Sequence, residues 1–449
     1  MVGTVLALRL RAGLYAFRES LFLLPALIVV AGAVAAEAAW ALDRAAPELL
    51  PVSLRMSTNA AIWLLSVVAG ATITTAGVVF SLTVVSLQLA SSQFSPRVMR
   101  SFVRDRLSQA VVGLLVATFV YCVLVLRHLN GEPAEPAPGL SLALAVVLTV
   151  ATVLLIIAHL DHLARRLQVG EVVRSIAEEG RDVVDAVLAR GAAEEPLRGR
   201  VELPGGGCRV VRAPHDGWVT QAGSADILAA VPPGTVVRLE TRTGAYIHEG
   251  EALATLWPVP DRPGSVDRRL GAVVRVSATR TMQEDVDFAV RQLVDIGLRA
   301  LSSAVNDPTT AVESVLRLGS LLRRLIACDL PPEAVGGPAG RVLLRPWELS
   351  HEEYLGHAFD QLRHAAPAQP QVAAALLRTL RMLAVHAEDV GRPGLVAPLR
   401  RQAALLLEAA EAEPALHPAD RRWLRAVADA ATDPADHGPR LVDGAVPAE

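Results

Sequence analysis

Between Arg55 and Arg97 the sequence carries no charged residue. As a helix, this run of about 40 residues would be ~60 Å long. A bilayer core about 30 Å thick needs roughly half of that. Pro96 limits the run, because proline disfavours helix for the residue before it. Placed on a wheel at about 100° per residue, Gly70, Thr74, Gly77, Ser81, Gln88, Ser92 and Ser95 fall on one narrow face. Thr72, Thr75, Thr83, Ser86 and Gln93 fall on a second face, with Phe80, Leu82, Leu87 and Leu89 between. A helix with two small or polar faces is not expected to meet lipid all round. Two readings follow. Small residues let backbones approach and hydroxyls bond across helices, so both faces could pack. Alternatively one face packs and the other lines a water-filled path.

Three further stretches qualify as spans: Leu21 to Leu42, Ala110 to Leu126 and Leu140 to Leu160, the second of these being short. With Ala60 to Leu87 they make four. Arginine placement sets the orientation. Arg9, Arg11 and Arg18 precede the first span; Arg97, Arg100, Arg104 and Arg106 separate the second and third; Arg165, Arg166 and Arg174 follow the fourth. The remaining connections hold only Arg44 and Arg55 in one and Arg127 in the other, beside Asp43, Glu48, Glu132 and Glu135. A multi-pass protein of the cell membrane is expected, with both termini cytoplasmic and Trp40 and Trp63 at the outer interface. A cleaved secretory signal is the weaker reading of the first span, since apolar character continues to Leu42. Arg97, Arg100, Arg104, Arg165 and Arg166 would meet anionic lipid headgroups.

Secondary transporters usually carry intramembrane carboxylates or broken helices. Here Glu37 lies near an outer end, and His159, Asp161 and His162 lie at the inner boundary. A channel needs only a polar lining and a gate. Two histidines three apart share a helix face but lack a third ligand at matching spacing, so no metal site is expected. Nor is there a nucleophile elbow, a phosphate loop or a zinc-protease helix. No enzyme activity and no cofactor are expected. The 449 residues sum to a net charge of −3, which gives no footprint for nucleic acid.

Beyond the spans the hydropathy falls to that of a soluble chain. Gln168 to Arg190 reads as an amphipathic helix. Short β runs follow at Arg209 to Ala213, Gly217 to Thr220, Thr235 to Thr241, Tyr246-Ile247 and Ala252 to Trp257, punctuated by proline and glycine turns. From Gln283 the pattern is helical. Asp287, Arg291, Asp295 and Arg299 recur every four residues, stacking carboxylates and guanidiniums along one face. Asn306, then Asp307 as N-cap with Pro308 at the first helical position, punctuates this run, and Ser350 with Glu353 makes a capping box. These groups are expected to form a salt-bridge and capping network; a ligand or gating site is the sharper alternative.

The phrases APHDGWV and TGAYIHEGEALATL resemble the barrel-sandwich module of biotinyl and lipoyl carriers. Those carriers load their cofactor on a lysine, and this chain has none, so a structural or adaptor role is what the resemblance leaves. The runs TITTAGVVFSLTVVSLQLASSQFSPRVMRSF and RQLVDIGLRALSSAVNDPTTA, with the four-span layout, resemble the bacterial family of predicted membrane proteins termed domain of unknown function 2254 (DUF2254). The resemblance implies an architecture and no activity. The expected fold is an α-helical membrane domain with four transmembrane helices over 1–167, followed by a cytoplasmic α+β region. That region comprises a connecting helix (168–200), a small barrel-sandwich-like β module (201–260), a helical domain (270–432) and a disordered tail (433–449). The expected function is an oligomeric channel-like or permeation protein, a homo-oligomer in the lipid bilayer with a cytoplasmic gate or vestibule. The alternative is a membrane-anchored sensor or scaffold whose cytoplasmic half docks a protein.

Overall fold

The computed structural model describes residues 23–45, 56–93, 106–129, 138–166, 169–197, 201–221, 223–282 and 284–429. The side chains of 90–93 and Arg166, the arginines at 97, 100 and 104, and the segment 433–449 lie outside what is described. The chain divides into two compact units, Met1–Gln168 and Val169–Glu449.

In the first unit four helices are long and apolar enough to cross a membrane: α1 (Leu23–Ala45), α2 (Thr58–Gln93), α3 (Arg106–His128) and α4 (Gly139–Arg166). The third is not the short span that its apolar stretch suggests. It is 23 residues long and the most buried of the four, because the helix continues through Arg106 and Arg127 beyond the uncharged stretch. All three other spans pack against α3. Close approach of α1 and α3 depends on small residues: a Cβ built on Gly113 would lie 2.9 Å from the Cα of Pro25, and one on Gly32 would lie 2.9 Å from the Cβ of Ala117. Polar groups between helices are matched. The hydroxyls of Thr118 and Thr152 lie 3.2 Å apart across α3 and α4. Tyr121 donates to the Ser141 carbonyl at 2.8 Å. Asp43 caps the N-terminus of α4 by accepting from the Leu140 and Ser141 amides, both at 2.8 Å.

The second unit begins with α5 (Val169–Ala192), whose apolar stripe packs on two helices further along, α8 (Val286–Ala300) and α9 (Pro308–Ile326). The β region forms two sheets. One has six strands in the order β1-β8-β9-β4-β6-β2, built from β1 (Glu195–Pro196), β2 (Arg209–Arg212), β4 (Val236–Leu239), β6 (Ala252–Trp257), β8 (Ala334–Gly337) and β9 (Arg341–Leu344). The other runs β5-β3-β7, with β3 (Gly217–Gln221), β5 (Tyr246–Ile247) and β7 (Arg275–Ser277). Helices α6 (Ser224–Ala230) and α7 (Pro263–Val273) complete their core, in which Val219, Ile227, Val237, Leu253, Leu256, Leu270 and Leu343 are buried. The β layer therefore exceeds the expected segment 201–260. It takes β1 from before that segment, β7 from after it, and the β8–β9 hairpin from beyond α8 and α9. β9 lies parallel to β4, with Val237 opposite Leu343. The sequence pattern of four-residue runs could not show this pairing.

Helices α10 (His351–Ala365), α11 (Pro370–Asp389), α12 (Val396–Ala412) and α13 (Pro418–Asp429) finish the unit. Their starts follow local chemistry. The Asp307 carboxylate accepts from the Thr310 amide at 3.1 Å with Pro308 at the first turn of α9, and Ser350 and Glu353 form the capping box of α10.

Replacing Gly113 by valine forces α1 and α3 apart. We expect a loss of about 1–3 kcal/mol in the stability of the membrane unit, measured by denaturant titration of the detergent-solubilised protein.

Candidate functional site

The two polar faces of α2 meet different surroundings. The face with Thr72 and Ser86 is buried, and Thr75 and Thr83 are half-buried; Ala61, Leu65, Ala69, Ala76 and Val79 share that side, toward α3. On the opposite side Gly70, Thr74, Gly77, Ser81 and Gln88 are all exposed. A Cβ built on either Gly70 or Gly77 meets nothing within 4 Å. Thr74 donates to the Gly70 carbonyl at 2.8 Å and Ser81 to the Gly77 carbonyl at 2.9 Å. Their hydrogens are thereby used within the helix, and their lone pairs face outward. From Gly70 to Gln88 the row runs ~27 Å along the axis, about one hydrocarbon thickness. Trp63, 70% exposed, lies near the N-terminal end of the same line. Ser92 continues the helix, its side chain lying outside the described residues.

The second cluster is an ionic junction inside the second unit. Asp287, 2% exposed, sits in the first turn of α8, where the helix dipole favours a carboxylate. The Arg280 guanidinium grips Asp285 through two nitrogens, at 2.7 and 3.0 Å, and reaches Asp287 at 2.8 Å. It is stacked between the Trp218 and Phe288 rings, 5.4 and 5.2 Å from their centroids. His357 of α10 places Nδ1 2.7 Å from the other Asp287 oxygen, and Arg291 lies 3.5 Å away. Arg242, from the turn between β4 and β5, is 3.9 Å away. Gly244 follows it at φ +83°; a Cβ there would come within 2.7 Å of the Arg280 guanidinium and nearer still to Asp285. Burial alone would raise the Asp287 carboxyl. The hydrogen bonds from His357 and Arg280 outweigh it and hold the group well below the usual carboxylate range. A small cavity of about 40 Å³ adjoins the junction, lined in part by Arg242, Asp285, Glu348 and Tyr354. Burial pushes the Glu348 carboxyl up, with Arg345 and Arg242 opposing the shift.

Only part of the expected Asp287–Arg299 ladder enters this junction. Asp287 and Arg291 meet in it, whereas Asp295 and Arg299 lie half-buried further along α8. Asn306, at φ +47°, accepts from the Gln369 side-chain amide at 3.2 Å, and Asp307 is spent on its cap. Arg280, Asp285, His357 and Arg242 escaped the sequence reading, and Gly244 is legible there only as a turn. Asp285 could have been found as an N-cap; the others come from separated segments with no shared period. Arg165 pairs with Asp161 at 3.0 Å on an exposed face of α4. Among the described residues no group of three or more His, Cys, Asp or Glu side chains is placed to hold a metal ion.

The junction can lock the β layer to α8 and α10. Asp287→Asn leaves Arg280 with Asp285 as its one carboxylate and takes the charged acceptor away from His357, and we expect a loss of about 1–3 kcal/mol at neutral pH in chemical denaturation. The depressed carboxyl contributes stability that is fully present above the unfolded carboxylate value near about 4 and is lost as pH falls below it. The gap between wild type and variant should therefore narrow below about pH 4.

Uncharacterised proteins of Mycobacterium bovis and of two Mycobacterium tuberculosis strains are each 34% identical to the chain over 361 residues, covering 78% of it and 68% of their own length. No solved structure matches. The family described as predicted membrane protein (DUF2254) matches residues 18–382, which takes in all four spans, the β layer and the Asp287 junction. With four apolar helices leading such a match, the chain is a membrane protein belonging to the DUF2254 family.

Proposed function

We propose that the protein is an oligomeric, channel-like protein of the cell membrane in which α2 of each copy turns its Gly70–Gln88 row toward a shared axis. Both termini would be cytoplasmic, and the second unit would serve as a gating or vestibule domain on that side. The observation that carries this reading is the opposition of the two α2 faces: one is packed within the chain, and the other is small, polar and uncovered. Glycine costs about 1 kcal/mol per position in a helix interior. Two glycines on a lipid-facing surface would carry that cost with no gain, whereas at a helix–helix or water-filled interface they permit close approach. Gly70/Thr74 and Gly77/Ser81 repeat a small residue four apart on successive turns of that face. Gln88 lies ~38 Å along the helix from Trp63, past the thickness of the hydrocarbon core, where an amide is readily hydrated.

The experiment is ion flux from liposomes holding the purified protein, under applied voltage and tension, together with the mass of the detergent-solubilised particle. We expect an oligomer whose flux falls at least about tenfold on Gly77→Val or Ser81→Leu. Cysteines introduced along α2 should react with water-soluble thiol reagents every three to four residues on this face. A monomeric particle, or flux indifferent to both substitutions, overturns the channel reading. Row cysteines that resist reagent in a protein still functional in cells would favour a membrane-anchored scaffold instead.

A further inference from the structure

We propose that a groove of about 980 Å³ between α7 and the turns before β4 and after β6 binds an organic phosphate. The inference lies wholly within the second unit and does not depend on the channel reading. One wall is apolar and stiff: Pro232 and Pro233 precede β4, and Pro258, Val259 and Pro260 follow β6, with Val259 47% exposed. The other wall is the start and outer face of α7, which presents Arg262, Arg268 and Arg269.

The charge on that wall is not neutralised by its own helix. Asp267, the one acidic residue of α7, turns instead to Arg209 of β2 and is paired there at 2.5 Å. Asp261 is the single carboxylate in the lining, so three guanidiniums face one acid. Arg262 and Arg269 have no ion-pair partner among the described residues, and Arg268 donates through Nε to the Gly264 carbonyl at 3.2 Å, leaving its terminal nitrogens free for another acceptor. Elsewhere in this unit Arg209, Arg280, Arg324 and Arg345 are all matched to carboxylates. Three forked donors on one groove fit phosphate oxygens, which guanidinium binds in pairs. The volume falls in the range of small-molecule sites, and the proline and valine wall suits the apolar or aromatic part of a phosphate ester. That chemistry is shared by a soluble nucleotide and by a phospholipid headgroup.

The test uses the full-length protein in phosphatidylcholine nanodiscs. In one arm ADP is titrated by calorimetry; in the other, phosphatidic acid is incorporated and protection of the protein against heat is measured. The variants are Arg268→Ala/Arg269→Ala and, separately, Arg262→Gln. Because the core contacts of α7 are made by Val266 and Leu270, the variants should melt as wild type does before ligand is added. If the double variant does not, Arg262→Gln decides. We expect salt-sensitive binding that weakens about tenfold or more in the double variant. Binding in the ADP arm assigns a soluble phosphate, and protection in the phosphatidic acid arm alone assigns a lipid headgroup. No binding in either arm, or binding unchanged in both variants, overturns the proposal.

Discussion

Hydrocarbon offers no partner for a polar group, so every hydrogen-bonding atom in the first unit must be satisfied by protein or lie where water reaches it. Several polar groups packed around α3 obey that constraint. Thr118 finds Thr152, Tyr121 finds the Ser141 carbonyl, and Asp43 takes up the free amides at the start of α4. The glycines at 32 and 113 bring backbones close enough for dispersion to hold α1 against α3. Against this background the outer row of α2 stands apart. Its hydroxyls bond to their own helix, and its glycines face open space. Among the described residues none covers that row's glycines, which favours a neighbouring copy or a water path beside it.

The second unit follows a different rule. A buried ion pair is a costly way to gain stability. The Asp287 junction is nonetheless buried, flanked by Trp218 and Phe288, and supplied from β3, the β4–β5 turn, the lead into α8, and α10. Such an arrangement ties the β layer to the helices, because its contacts draw on all of these segments at once.

Much of this architecture is legible in the amino-acid sequence wherever a property is local. Span number follows from length and hydropathy, the caps at Asp307 and Ser350 follow from residue type, and the two-faced character of α2 follows from its period. Which face of α2 packs could not be read, since it depends on Ala69, Ala76 and Val79 meeting α3. Nor could the central place of α3, because hydropathy records the length of its apolar stretch and not the small and β-branched residues that other helices cover. The junction joins Arg242, Arg280, Asp287 and His357 across more than a hundred positions, and only the Asp287–Arg291 step carries a helical period. The basic groove was missed for a related reason: Arg268 and Arg269 look like ordinary helix-surface charges until Asp267 is seen to turn the other way.

The parallel pairing of β4 with β9 has a consequence for how the chain matures. During synthesis β4 emerges about a hundred residues ahead of the strand that covers its edge, and both α8 and α9 must be made in between. Until the hairpin arrives, a row of unpaired amides and carbonyls stands open to any extended peptide nearby. Completion of the β layer is therefore tied to folding of the helices behind it. The unit cannot be divided at the end of its apparent β module without leaving a sticky edge.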